Sequence, residues 1–177
     1  MATYKIDPDH SDIMFKVKHL MISTVSGIFK KFDATAEINN NDFTDATVSF
    51  EADVTSIDTK NEQRDGHLKS DDFFNAEQYP KLTFKSTGVK KVGDNEFKLL
   101  GDLTVRDITK PIELNVEYNG VVTDPWGKER LGFEVIGKIN RKEYGLKWSA
   151  VTEAGGVVVG DDVKLQLNVE MIKQDAV

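Results

Sequence analysis

Arg64, Asp65 and His67 fall within four residues of one another in the stretch NEQRDGHLKSDDFFNAEQYP, residues 61–80. An imidazole beside a carboxylate and a cation can do general acid–base work, provided the side chains converge. The spacing argues against convergence. Thr59 followed by Glu62 has capping-box spacing, which predicts a helix from near Lys60 toward Ser70, weakened by Gly66. On that helix Asp65 and His67 are two residues apart and point to different sides, so they cannot form the carboxylate–imidazole pair of a triad. Arg64, His67 and Leu68, at i, i+3 and i+4, share a face, while Asp65 and Lys69 can pair along another. A face of that kind suits a lid over something partly apolar. Two readings of it stay open: Arg64 and His67 retain a polar head group at a cavity mouth, or they tie the helix to strand-end carbonyls. Phe73 and Phe74 follow, before a turn ended by Pro80, and one of them is expected to anchor the helix by core packing.

Other chemistry is sparse. The chain has no cysteine, which excludes thiol nucleophiles, disulfides and thiolate metal sites. No Gly-rich loop follows a strand and opens a helix, and neither HExxH nor GxSxG occurs. The histidines stand at 10, 19 and 67. His10 and His19 at the two ends of one strand would be about 30 Å apart at about 3.3 Å per residue, which argues against a shared metal. The expectation is therefore no metal, no catalytic residue and no cofactor. In INRKEYGLKW, Arg141 follows an apolar strand and Trp148 lies beyond Gly145. Arg141 stacked on Trp148 would close one barrel end with a contact of about 1 kcal/mol; the alternative is that Arg141 meets a ligand head.

The elements that must position these residues are strands. From Ala46 to Val54 the even positions are apolar and Thr47, Ser49, Glu51 and Asp53 are polar, a period of two. The same alternation runs through Ile13–Val17, Leu82–Phe84, Phe97–Val105, Ile112–Tyr118, Leu131–Ile139 and Val163–Met171, and more weakly through Ile28–Ile38. Turn signals in NNNDFTD, VGDN, DITKP, TDPWGK and VVVGDD separate them. Short links favour antiparallel neighbours, and long strands favour a closed barrel that leaves no edge. The fold class is all-β, an extended antiparallel lipocalin-like barrel of about eight strands with one short helix near residues 60–70. At 177 residues it suits one domain spanning 1–177.

A barrel of that size is filled by its own side chains or holds one small ligand. The inward rows place Phe15, Val17, Phe50, Phe84, Leu103, Val105, Leu114, Val116, Phe133, Val135, Ile139 and Leu165 toward the lumen. Small residues, Ala52, Gly101 and Gly137, share those rows and either bend strands or leave room. Hydrophobic residues make up 39% and charged residues 30%, the balance of a soluble globular protein. A net charge of −7 opposes binding to nucleic acid. MATYKIDPDHSDI has no apolar h-region and no apolar run reaches membrane-span length, so a cytoplasmic protein without stable membrane insertion is expected.

Taken together, DPDHSDIMFKVKHLMISTVSGIFKKF, NEQRDGHLKSDDFFNAEQYPKLTFKS, GDLTVRDITKPIEL and GFEVIGKINRKEYGLKW resemble, in order and spacing, the segments of the YceI-like family of lipocalin-like proteins. The resemblance covers about Tyr4 to Glu170. Asp107 in VRDITKP stands where the family commonly has Gly. The resemblance implies a long apolar lumen that binds a polyisoprenoid lipid, such as a prenyl quinone or an isoprenoid phosphate. It draws attention to His10 and Asp65 and, as mouth residues for a head group, to His19, Arg64, His67, Arg141 and Trp148. The expected function is non-catalytic binding, transport or sequestration of that lipid. The alternatives are an enzyme acting on an isoprenoid head group and a filled barrel serving as an interaction module. Each is compatible with a homodimer.

Overall fold

The computed structural model describes residues 2–39, 42–149 and 158–175. Among them, eleven strands form one antiparallel sheet: β1 (Ala2–Ile6), β2 (Asp12–His19), β3 (Ser23–Phe29), β4 (Phe32–Ile38), β5 (Thr47–Asp53), β6 (Ile57–Asp58), β7 (Lys81–Lys91), β8 (Glu96–Val105), β9 (Ile108–Thr123), β10 (Glu129–Asn140) and β11 (Val159–Lys173). Three kinks reduce these to eight long strands. β1 and β2 both pair with β11, through Ile6 opposite Met171 and Asp12 opposite Asn168, on either side of a 3-10 turn at Pro8–His10. β3 with β4, and β5 with β6, are single bent strands in the same sense, and their bends bond each other: Lys30 N–H donates to the Ser56 carbonyl and Asp53 N–H to that of Lys31. Closure comes where Tyr4 of β1 pairs with Lys173 of β11. Among the described residues an antiparallel eight-stranded barrel results, closed between β1 and β11.

The inward rows follow the period of two. Along β9, Leu114 is buried while Glu113, Asn115 and Glu117 are exposed. Many inward residues, Phe15, Val17, Phe50, Val116 and Phe133 among them, are only half-buried, because they face a cavity instead of a second packed layer.

One end of the barrel carries the β2–β3 and β8–β9 hairpins, a 3-10 turn at Arg141–Tyr144 after β10, and the helix α1 (Glu62–Lys69) between β6 and β7. The cap differs from the expected Thr59–Glu62 box. Asn61 is the N-cap, its side chain accepting from Arg64 N–H at 2.9 Å, because Lys60 takes a left-handed φ of 65° that keeps it out of the helix. Asp65 pairs not with Lys69 but with Thr59, whose backbone N–H and hydroxyl both donate to it.

Two expected turns lie inside strands. In DITKP the reversal is at Arg106–Asp107 and Pro111 sits within β9. β10 pairs with β9 only as far as Asn115, so Pro111 stands where β9 has a ladder on one side and its missing N–H costs no bond. In VVVGDD, Gly160–Asp162 mark an irregularity in β11, where the register with β2 shifts between Val159 and Val163. No helix among the described residues is long and apolar enough to cross a membrane.

Candidate functional site

The barrel encloses a cavity of about 660 Å³, within the range of small-molecule sites. Every lumen and mouth position expected from the sequence lines it, from Phe15 to Leu165 and including His19, Arg64, His67, Arg141 and Trp148. The cavity stays open in part because large side chains lie over glycines in the wall. A Cβ on Gly137 would stand 2.4 Å from Leu114 Cδ2, and one on Gly27 would stand 2.2 Å from the Phe15 ring. The inward glycines therefore hold neighbouring side chains close to the wall.

The far end is closed by an aromatic plug. Phe43, in the connection from β4 to β5, meets Phe97, Tyr118 and Phe133 with ring centres 5.6, 4.9 and 5.7 Å away, all edge-on. Read as a turn residue in NNNDFTD, Phe43 was legible as a site residue only as a lone aromatic in a polar stretch. It adopts a φ of 64°, a strained value for a bulky residue that its ring contacts offset.

Polar lining gathers at the helix end. Lys18, His19, Thr59, Asn61, Gln63, Arg64, His67 and Arg141 supply it, and no Asp or Glu among the described residues lines the cavity although the chain has 30. Arg64 and His67 do share a face over the lumen with Leu68. Arg64 also ties the helix down, Nε donating to Thr59 Oγ1 at 2.8 Å and a terminal nitrogen to the Thr59 carbonyl. His67 meets Asp72, not Asp65, at 2.8 Å, and its ring packs edge-on against Phe73 and Trp148. Phe73 is buried and reaches the cavity, beyond the core packing expected of it. Arg106, on the β8–β9 turn, holds this segment by donating to the carbonyls of Asp71 and Phe73; nothing in its sequence context signals that role.

Arg141 is 2% exposed, and its guanidinium donates to the carbonyls of Gly160, Leu146, Trp148 and Val159. It stacks over Phe73, 5.8 Å from the ring centre, and not over Trp148, which it meets through the backbone. Burial pulls its pKa below the usual guanidinium value while Asp161 opposes. Together with buried Tyr144 and Leu146, Arg141 fills the seam left where β9 and β10 part. Its nitrogens donate to backbone carbonyls, and the side chain also lines the cavity.

A second ionic cluster lies at the β1–β2 kink. Arg130 donates to Asp7 at 2.7 Å, Asp124 at 2.8 Å and Glu170 at 2.9 Å, and His10 Nδ1 lies 2.7 Å from Asp7. The Asp7, His10 and Glu170 donors stand within 4.8 Å of one another, as a cation site would need, but Arg130 already places its charge between the two carboxylates. The cluster locks strands together.

The YceI-like domain model matches residues 4–171. The chain belongs to the YceI-like family. A UPF0312 protein of Staphylococcus epidermidis is 42% identical over 171 residues, covering 96% of this chain and 97% of that one. The crystal structure of the Campylobacter jejuni YCEI protein is similar with a TM-score of 0.77 at 33% identity, covering 89% and 90%. A polyisoprenoid binding domain from Saccharophagus degradans shares the fold, with a TM-score of 0.68 at 16% identity over 95% and 97% of the two chains. The YceI-like fold thus spans this chain from β1 to β11.

Proposed function

We propose that this protein binds a polyisoprenoid lipid, of the prenyl quinone or isoprenoid phosphate type, with its tail in the lumen and its head at the α1 end, and carries or sequesters it without catalysis. The observation that carries this reading is the polarity of the cavity: among the described residues it is apolar down to the Phe43 plug, with its hydrogen-bond donors and cations at the other end. Each methylene moved from water into such a lumen contributes about 0.8 kcal/mol, so a long tail binds tightly even after ordering costs. The cationic lining at the mouth suits an electron-rich or anionic head. The polyisoprenoid binding domain that shares the fold supports the choice of lipid. No further cofactor enters this reading.

The His67–Asp72 pair favours a second reading, an enzyme acting on the lipid head, because it joins an imidazole to a carboxylate at the mouth. Among the described residues no hydroxyl bonds the His67 ring; the Ser70 hydroxyl donates to the His67 backbone carbonyl instead. Organic extraction of the purified protein followed by mass spectrometry tests the first reading, which expects a stoichiometric isoprenoid; extracts free of isoprenoid, with no uptake of added isoprenoid, would sink it. Turnover of the recovered lipid that disappears in His67→Ala would favour the second.

A further inference from the structure

We propose that the tip of the β2–β3 hairpin, Leu20–Ile22, docks the barrel mouth on a lipid bilayer. The inference rests on the lipid-binding reading above. Leu20, Met21 and Ile22 are 38%, 60% and 84% exposed, three large apolar side chains in succession at the end of the barrel that carries the polar lining of the cavity. They are not needed for the turn. Leu20 and Met21 take φ values of 52° and 61°, and positive φ at both central positions of a hairpin is the conformation that Asn and Gly adopt with least strain. The backbone is nonetheless held, with Ile22 N–H donating to the His19 carbonyl at 3.2 Å and Leu20 N–H to that of Val158 at 2.8 Å. A strained, bonded turn that presents apolar side chains to water is explained by a surface that takes them out of water.

The position of the tip identifies that surface. Val17, Lys18, His19 and Val25 of the same hairpin line the cavity, as does Val158, so whatever covers the tip adjoins the mouth. A polyisoprenoid resides in the acyl region of a membrane. A tip sunk into the acyl boundary lets the tail pass from bilayer to lumen without crossing water. With a net charge of −7, the attachment is apolar, with Lys18 at the base of the tip placed to meet headgroup phosphates. A second exposed apolar group, Val121, Val122 and Trp126, flanks the β9–β10 turn at the end closed by Phe43, away from the mouth, and serves as the control.

The test uses the full chain and phosphatidylcholine vesicles, with and without geranylgeraniol as the probe. Leu20→Asn combined with Met21→Gly puts the residues favoured by this backbone at both positions. The expected result is an unchanged or raised thermal midpoint, unchanged binding of geranylgeraniol supplied from dilute solution, and vesicle flotation weakened by about tenfold or more, with uptake from vesicles slowed in proportion. Flotation should vary little with salt, and Trp126→Ser should leave it unaltered. Flotation and uptake equal to the unsubstituted protein, or loss caused by Trp126→Ser instead, overturns the docking role. Tip-dependent flotation with no geranylgeraniol bound in either format upholds the docking and overturns the lipid-cargo reading; solution binding with tip-independent uptake does the reverse.

Discussion

The ring of Phe84 lies over Gly101 on the neighbouring strand, so close that a Cβ at Gly101 would stand 2.3 Å from its Cζ and 2.6 Å from the Lys85 carbonyl oxygen. Glycine here is a recess in the wall, and it decides how much of the lumen the ring leaves free.

Gly101→Ala is therefore expected to push Phe84 toward the cavity axis. Backbone contact at Lys85 leaves little room for accommodation, so stability falls by about 1–3 kcal/mol. Binding of a long prenyl alcohol should weaken as well, measured by titration on folded protein. Unaltered affinity would mean that Phe84 does not bound the ligand space.

Val135, on β10, tests another part of the lumen wall. It is buried between Val116 and Leu167 on the adjacent strands and faces the cavity. Val135→Trp places an indole in ligand space, whereas in a filled core the same overpacking typically costs about 1–3 kcal/mol. The expected outcome is a nearly normal thermal midpoint without ligand and lost lipid binding. Early unfolding with unchanged binding per folded molecule would contradict the placement.

Arg141 is expected to matter for stability before it matters for binding. Arg141→Met leaves four carbonyls at the β9–β10 seam short of a donor, at a cost of about 3 kcal/mol or more. Arg141→Lys should rescue only part, because one ammonium cannot reproduce the planar fork. Denaturant midpoints for the two variants check this.

The kink cluster sets two opposite pH dependences. Burial pushes the Asp7 carboxyl up, but its bonds to Arg130 and His10 outweigh that and hold it below its ordinary value. Its stabilisation is full above the unfolded pKa of about 4 and is lost as pH falls through the folded value. His10 is raised by its bond to Asp7, with Glu170 adding. Its stabilisation is full below about 6.5 and is lost as pH rises through the folded value. Urea midpoints followed across pH should show a flatter acid limb in Asp7→Asn and a flatter limb above about 6.5 in His10→Gln.

Strand alternation made the barrel legible in the sequence, because one wet face and one dry face leave a period of two that no distant contact has to supply. For the same reason the inward rows at Val135, Leu114 and Phe84 could be named before any pairing was known. The spacing of Arg64, His67 and Leu68 likewise placed them on one helix face, a purely local property. Tertiary structure decided what local pattern does not carry. That Phe43 closes one end depends on three rings from β8, β9 and β10 meeting it across the barrel. That Arg141 stacks on Phe73 and not on Trp148 depends on where the carbonyls of Leu146, Trp148, Val159 and Gly160 converge. His67 finds Asp72 and not Asp65 because the chain turns back after α1, and Arg130 joins Asp7 to Asp124 and Glu170 across more than a hundred residues of sequence. Side-chain hydrogen bonds of this kind are set by the path of the folded chain, through a turn for His67 and through barrel closure for Arg130, whereas the alternation that builds each strand is set by its immediate neighbours.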